Sequence, residues 1–305
     1  MSITVSVPSD EFRDRLPDFG EDVEVIVWDF QLPQPEQYVD LAVFPYTLSR
    51  ASREVLGQLD PQRLGAIQSQ ALGYDGVDDV IVPGVTYCNA VDVHEGSTAE
   101  LVVGLILAST RGIDHAARAM PEGRWQQAEW PGLRDSTVLL VGYGGIGSEL
   151  ERRLSGFETT IVRCANQSRS DPLVHATDEL PRLLPTADVV VVGVPLTDAT
   201  EHMIDDDFLS AMRPGALVVN VSRGRVADTD ALVRHAASGH VRVAVDVTDP
   251  EPLPAHHKLW TTPGVLITPH LGGAIPSMHP RVDRLLAEQV DRIRNNQELA
   301  NIAIG

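Results

Sequence analysis

Apolar residues fall along this chain in short β-branched runs separated by longer stretches of helical spacing, an alternation that predicts parallel sheets covered by helices. In the first third the runs lie at residues 3–7 (ITVSV), 23–29 (VEVIVWD), 41–45 (LAVFP), 66–70 (AIQSQ) and 85–89 (VTYCN). From about residue 95 the period changes. EGSTAELVVGLILASTRGIDHAARAM has apolar residues at helical spacing, with Ser97 and Thr98 near its start as candidate caps, and reads as one amphipathic helix joining two domains. Residues 123–136 (GRWQQAEWPGLRDS), rich in Gly, Pro and Trp, read as an irregular arm. Six further runs follow, at 137–142, 159–164, 188–194, 216–221, 242–247 and 264–269, a number that suits a doubly wound sheet. The last stretch, residues 280–301 (PRVDRLLAEQVDRIRNNQELAN), reads as an amphipathic helix returning to the first domain. The expected fold is therefore α/β with two doubly wound parallel-sheet domains, residues 1–97 plus 276–305 in one and residues 98–275 in the other.

Length supports two domains, since 305 residues exceed what one hydrophobic core usually serves. Charge narrows the partners. With 24 Lys and Arg against 43 Asp and Glu the net charge is -19, which repels phosphate backbones and anionic lipid, so neither nucleic acid nor a membrane surface is expected. A chain this acidic must gather its few cations locally to hold an anionic ligand. The N-terminal residues lack a basic start and long apolar run, and the nearest approach to a membrane span is LVVGLILA at 101–108, so the expectation is a soluble, cytoplasmic protein without a leader. Cys88 and Cys164 form no CxxC pair, and no metal site is expected.

The run at 137–142 leads into Gly142-Tyr143-Gly144-Gly145-Ile146-Gly147 and then into SELERRLSGF. A GxGxxG between strand and helix is the context in which that motif binds a dinucleotide. Gly142 permits a tight turn, Gly144 lets the backbone approach a pyrophosphate, and Gly147 lets helix and strand pack closely, while the helix N-terminus faces the phosphates. The end of the next strand separates the two nicotinamide nucleotides. An acid there accepts from the ribose hydroxyls of NAD, but here the chain reads Arg163-Cys164-Ala165-Asn166-Gln167-Ser168-Arg169, with Ala165 where a carboxylate would sit. This predicts NADP in preference to NAD, with Arg169 pairing to the 2'-phosphate and Ser168 hydrogen-bonded to it. A solvated surface role for Arg169 is the alternative.

Reduction of a 2-oxo acid requires a cation at the carboxylate and carbonyl, an acid for the developing alkoxide, and a carboxylate to orient that acid. Arg223 follows ALVVNV, Glu251 follows RVAVDV and His270 follows GVLITP, each at the carboxyl end of an expected strand, where ligands bind in open α/β sheets. Asp249, two residues from Glu251, is the competing acid.

Across ALGYDGVDD, STAEL, GYGGIG, VPLTDAT, NVSRGRVADTDAL, DVTDPEPLP and TPHLGG the sequence resembles the D-isomer-specific 2-hydroxyacid dehydrogenase family. The resemblance implies a Rossmann cofactor domain inserted in a flavodoxin-like substrate domain, and a homodimer. It implies that Arg223 binds substrate, that His270 is the acid and base, and that Glu251 hydrogen-bonds to His270. Asp246 would face the nicotinamide carboxamide, Thr98 and Pro195 would lie near the cofactor with Gly145 and Ile146 of the loop, and the N–H groups of Leu72 and Gly73 would hold the substrate carboxylate. Glu251 separates the chain from formate-oxidising relatives, which carry an amide in that role, and with the sequence ending at Gly305 no added regulatory domain is expected. Hydroxypyruvate and glyoxylate are the first substrates the resemblance suggests. Tyr46, in FPYTLS, is either a pocket residue or a surface tyrosine, and Trp125 and Trp130 either serve a dimer contact or pack within one chain. The alternative function is a non-catalytic dinucleotide sensor of the same fold, which need not retain the Arg, Glu and His set. His256, His257 and the remaining histidines read as surface residues.

Overall fold

The structure, a computed structural model, describes residues 2–46 and 50–305. The chain runs β1 (Ile3–Val7), α1 (Asp10–Arg15), β2 (Val23–Val27), β3 (Val39–Val43), α2 (Arg50–Leu56), β4 (Leu64–Gln68), β5 (Thr86–Cys88), α3 (Glu95–Thr110), α4 (Ile113–Ala119), β6 (Thr137–Val141), α5 (Gly145–Leu154), β7 (Thr160–Ala165), β8 (Arg169–Ser170), β9 (Leu173–Ala176), α6 (Leu180–Leu183), β10 (Val189–Val192), α7 (Asp206–Ala211), β11 (Ala216–Asn220), α8 (Thr229–Ala237), β12 (Val241–Val245), β13 (Val265–Ile267), α9 (His279–Arg294) and β14 (Ile302–Ile304). It forms two compact units. One takes the chain up to His94 together with Pro276–Gly305, and the other takes Glu95–Ile275. The first unit ends at His94 rather than at residue 97 because α3 begins at Glu95 and belongs whole to the second. Ser97 and Thr98 consequently lie inside the first helical turn instead of capping it.

In the first unit the sheet order is β14-β5-β4-β3-β1-β2, parallel throughout except for the antiparallel edge strand β14. Both faces of this sheet are buried, as the nearly continuous apolar runs require. Val5, Val7, Leu41 and Val43 pack with Val282, Leu286 and Val290 of α9 on one face. Trp28, Phe30, Phe44, Ile67 and Tyr87 form the other. The expected C-terminal helix is therefore found in the first unit, but it stops at Arg294. Asn295 caps it, Asn296 turns left-handed at φ 50°, and the chain continues to β14, a strand that the apolar pattern of the sequence did not predict.

The second unit has the order β13-β12-β11-β10-β6-β7-β9-β8, parallel except at β8. All six expected strands form, and the short β8 and β9 are added at the edge. Alternate residues of the central strands feed opposite cores: Leu139, Val190, Val218 and Val243 pack on Ile204, Leu209 and Leu232, whereas Leu140, Val191, Val219 and Ala244 pack on Val102, Ile106, Leu150 and Leu154. The sheet order reverses between β6 and β10, so the crevice at the carboxyl ends of the strands opens beside the glycine loop that follows β6. The single helix expected over 95–120 is broken. Gly112 stands at φ 63°, and a Cβ there would lie 2.1 Å from the Trp130 ring, so a glycine both ends α3 and makes room for the arm. Nor is α3 polar on its outer side, where Val103, Leu107 and Ala108 are half-buried.

Candidate active site

The glycine loop is shaped by contacts that only glycines permit. Gly142 leaves β6 at φ 97°, and a Cβ on it would come within 2.4 Å of the carbonyl oxygen of Gly193, just past β10. A Cβ on Gly147 would lie 2.7 Å from the carbonyl oxygen of Gly142, so helix α5 sits directly on the turn. At Gly144 a Cβ would meet nothing within 4 Å. The loop is thus tight against the sheet at Gly142 and Gly147 and open at Gly144, the side on which a pyrophosphate would approach. The first-turn N–H groups of α5, from Gly145 onward through Ile146, have no carbonyl acceptors within the helix and carry the positive end of its dipole. These features fit a dinucleotide. Pro195 lies just beyond β10, with its carbonyl oxygen accepting from Thr200 Oγ1 at 2.6 Å.

Strand β7 ends at Ala165, and no carboxylate occupies that position. Ser168 is exposed in the turn that follows. Arg169 opens β8, paired across the hairpin with Val174, and its guanidinium donates to the carbonyl oxygen of Tyr143 at 2.9 Å. Arg163 is differently placed, held by Glu151 of α5 through two hydrogen bonds, and Glu151 also accepts from the Tyr143 hydroxyl at 2.6 Å. The Arg163 guanidinium keeps the Glu151 carboxyl below the usual carboxylate range.

At the other end of the crevice the chain is braced from inside. Asn220, the polar last residue of the buried strand β11, donates through its amide to the carbonyl oxygen of Arg223 at 3.0 Å and accepts from the Ser222 N–H and hydroxyl at 3.1 and 2.5 Å. This holds the loop that carries Arg223. A Cβ on Gly224 would lie 2.0 Å from the carbonyl oxygen of Thr248, so the Arg223 loop lies flush against the segment leading to Glu251. His270 follows β13 in the left-handed region, at φ 54°, a conformation tolerated because its surroundings enforce it. Its N–H donates to the Asp246 carbonyl oxygen at 2.8 Å. The buried Asp246 carboxylate accepts from Thr268 Oγ1 at 2.6 Å, Leu271 N–H at 2.7 Å and Gly272 N–H at 2.9 Å. A carboxylate has about four lone-pair sites, so three donors leave room for one more. Thr98 reaches the same spot, because a Cβ on Gly272 would come within 3.1 Å of its Oγ1 and 3.2 Å of Asp246 Oδ2.

His270 Nδ1 and Glu251 Oε1 are 2.5 Å apart, and both side chains are about half exposed. Of the two acids in DVTDPEPLP, Glu251 is the one that reaches the imidazole. The hydrogen bond to Glu251 raises the His270 pKa against the opposing effect of burial, and the Arg223 charge lowers it. Glu251 is held below the usual range by His270 first and by Arg223 among the lesser causes. Arg223, Glu251 and His270 thus act on one another electrostatically, the arrangement an acid beside an anion-binding cation requires.

The remaining candidates lie elsewhere. In the first unit Leu72 and Gly73 occupy the turn after β4, with the Leu72 carbonyl oxygen accepting from Asn89 Nδ2 at 2.9 Å. Tyr46 is exposed, with its ring centroid 5.6 Å from that of His94. His257 accepts from the Leu259 N–H at 3.2 Å, a local turn contact. Among the described residues no cluster of three His, Cys, Asp or Glu side chains could hold a metal, and no helix is long and apolar enough to cross a membrane. Asn220, Thr268 and Tyr143 are the side chains that sequence reasoning did not single out. The signal for Asn220 was available, as a polar residue ending an otherwise apolar strand.

Comparison with known proteins adds independent weight. Residues 103–272 match the family model described as D-isomer specific 2-hydroxyacid dehydrogenase, NAD binding domain. The chain is 34% identical over 242 residues to the glyoxylate reductase of Thermofilum pendens, covering 74% of this chain and 71% of that one. It is 32% identical over 273 residues to the human glyoxylate reductase/hydroxypyruvate reductase, covering 83% and 82%. Among solved structures it resembles the NADPH-dependent glyoxylate/hydroxypyruvate reductase of Sinorhizobium meliloti in complex with NADP and malonate, with a TM-score of 0.79, 25% identity, and 99% and 97% of the two chains covered. With its glycine loop and Rossmann strand order, the chain is an NAD(P)-dependent oxidoreductase and belongs to the D-isomer specific 2-hydroxyacid dehydrogenase family.

Proposed function

We propose that this chain reduces small 2-oxo acids of the glyoxylate or hydroxypyruvate type to D-2-hydroxy acids, using NADPH in preference to NADH. The observation that carries the catalytic assignment is the His270 Nδ1 to Glu251 Oε1 contact of 2.5 Å within the field of Arg223. The nucleotide, when bound, supplies the hydride. Arg223 pairs with the substrate carboxylate and polarises its carbonyl. His270, with Nδ1 committed to Glu251, turns Nε2–H to the carbonyl oxygen and delivers the proton as negative charge develops there. For Leu72 and Gly73 the proposed role is substrate binding through their N–H groups. Thr98, Pro195 and Asp246 serve the nicotinamide end, and Gly142, Gly144, Gly145, Ile146 and Gly147 the pyrophosphate. Relatives that bear the names glyoxylate reductase and glyoxylate reductase/hydroxypyruvate reductase support the substrate class. The neutral Ala165 and the cationic Arg169 support NADPH. A carboxylate so placed on His270 favours an enzyme over a dinucleotide sensor.

A homodimer is part of the same reading. Val103, Gly104 and Leu107 on the outer side of α3 continue into Ile113, Met120 and Trp125, which are 55%, 76% and 95% exposed, an apolar strip suited to a second copy. The buried, unpaired thiols of Cys88 and Cys164 suit a reducing cytoplasm.

The test is the absorbance of the reduced nicotinamide followed with NADPH and then NADH against glyoxylate, hydroxypyruvate, pyruvate and phenylpyruvate. Faster turnover of the first two, lost in Arg223→Ala, is expected. Activity confined to phenylpyruvate would sink the substrate class, and an NADH preference would sink the cofactor choice.

A further inference from the structure

Two arginines flank the glycine loop, and the structure treats them unequally. Arg163, on β7, spends its charge on Glu151, which it meets through two hydrogen bonds. Among the described residues Arg169 meets no such carboxylate: its guanidinium donates to the neutral carbonyl oxygen of Tyr143 at 2.9 Å and lies 5.6 Å from the centroid of the Tyr143 ring. The same ring has Arg163 at 5.5 Å. Tyr143 is therefore flanked by both guanidinium groups, with its hydroxyl anchored on Glu151 at 2.6 Å. That anchor fixes the ring, and the ring together with its own backbone carbonyl fixes Arg169. The backbone of Arg169 is independently clamped, because β8 pairs with β9 and β9 with β7 through Cys164 and His175.

We propose that Tyr143 is the positioning residue for nucleotide choice, a platform that holds the Arg169 guanidinium in place for a 2'-phosphate while Glu151 removes Arg163 from the competition. The proposal rests on the NADPH reading above and deepens it. A free arginine side chain is mobile and exposed, and fixing it costs conformational entropy at the moment of binding. The carbonyl and ring face meet that cost in the folded protein, before the ligand arrives. A guanidinium can give its remaining N–H donors to a phosphate while one stays on Tyr143. No comparable gain exists for a nucleotide with a bare 2'-hydroxyl, so the platform acts on the choice between nucleotides rather than on nucleotide binding in general.

The experiment is calorimetric binding of 2',5'-ADP and of 5'-ADP to the full chain, with no turnover involved, and it reads the ratio of the two affinities. Wild type is expected to favour 2',5'-ADP. Tyr143→Leu, which removes the ring and the anchor, is expected to lower that ratio about 5-fold, the scale of an exposed cation–π contact. Tyr143→Phe, which keeps the ring but loses its anchor on Glu151, is expected to give a smaller loss, about 2-fold on the same scale. In an Arg169→Ala background Tyr143→Leu is expected to change nothing further, which separates positioning of Arg169 from general damage to the loop. A wild-type preference for 2',5'-ADP that survives Tyr143→Leu overturns the platform and leaves the NADPH reading standing. An equal loss of both ligands in Tyr143→Leu also overturns it, since that is a structural role only. A wild-type ratio near one removes the NADPH reading and the platform with it.

Discussion

At the end of β7 the charged side chains lie toward the surface, Arg163 paired with Glu151 and Arg169 resting on the carbonyl oxygen and ring of Tyr143. At the ends of β11, β12 and β13 the polar groups that matter most are buried, and they hold backbone: Asn220 the Arg223 loop, Asp246 the His270 turn. The difference follows from what each end is expected to do. Selecting between two nucleotides needs a cation held within reach of one extra phosphate, where loose positioning costs only about a few-fold in affinity. Transferring a proton and orienting a carbonyl needs groups fixed to a near-attack geometry, where small displacements are expensive in rate. The chain places its buried hydrogen-bonding capacity where geometry matters and leaves the charge proposed to select the nucleotide on an edge hairpin.

The largest effect should come from His270→Ala. Loss of a positioned general acid is expected to lower kcat for 2-oxo acid reduction by about 100-fold to 10,000-fold. Binding of NADPH, followed by quenching of protein fluorescence, should change little, because the proton donor and the phosphate-binding end are separately built. A variant that turned over normally would remove His270 from the role, and one that lost the nucleotide as well would break the separation of the two ends.

Stability should divide the two ends next. Asp246→Ala would orphan the Thr268 hydroxyl and the Leu271 and Gly272 N–H groups around a buried site, at a cost of about 2–4 kcal/mol in chemical denaturation. Arg169→Ala, on the exposed hairpin, should cost no more than about 0.5 kcal/mol, while its affinity for NADPH falls. Equal losses in the two variants would show that the adenosine end is as structural as the nicotinamide end.

How far the sequence reveals these two ends differs in the same way. Arg223, His270 and the glycine loop are legible because strand periodicity places them at strand ends, where topology alone converges them. All the longer strands are legible for a related reason, since a parallel strand buried on both faces is a continuous apolar run. What escapes is whatever depends on contacts distant in sequence. The hairpin of β8 and β9 pairs only Arg169 with Val174 and Ser170 with Leu173, too short to carry a period. The break in α3 depends on Trp130 lying over Gly112, eighteen residues later. Tyr143 is an arbitrary residue of a GxGxxG until Arg163, Arg169 and Glu151 are seen around it. β14 hides because NNQELAN prolongs the polar pattern of α9, while two asparagines in left-handed conformation turn the chain back toward the sheet edge.

The subtlest way to sharpen the contrast is to keep the geometry of the nicotinamide end and change only its charge. Glu251→Gln retains a hydrogen-bonding partner for His270 Nδ1 but removes the largest cause of the raised His270 pKa. In the reduction direction His270 must carry its proton, so kcat/KM is expected to hold at low pH and fall as the pH rises through the raised pKa. In the variant that fall should come earlier, by about one pH unit. In the oxidation direction His270 must be neutral, so activity rises with pH through the same pKa, and the variant should gain oxidation activity at the acid end while it loses reduction activity at the alkaline end. A displacement of both limbs toward low pH, read from pH profiles in the two directions, marks a charge effect on one titrating group. A uniform loss at every pH would instead mean that Glu251 is needed for its shape, and then the catalytic end would be braced down to its most exposed carboxylate.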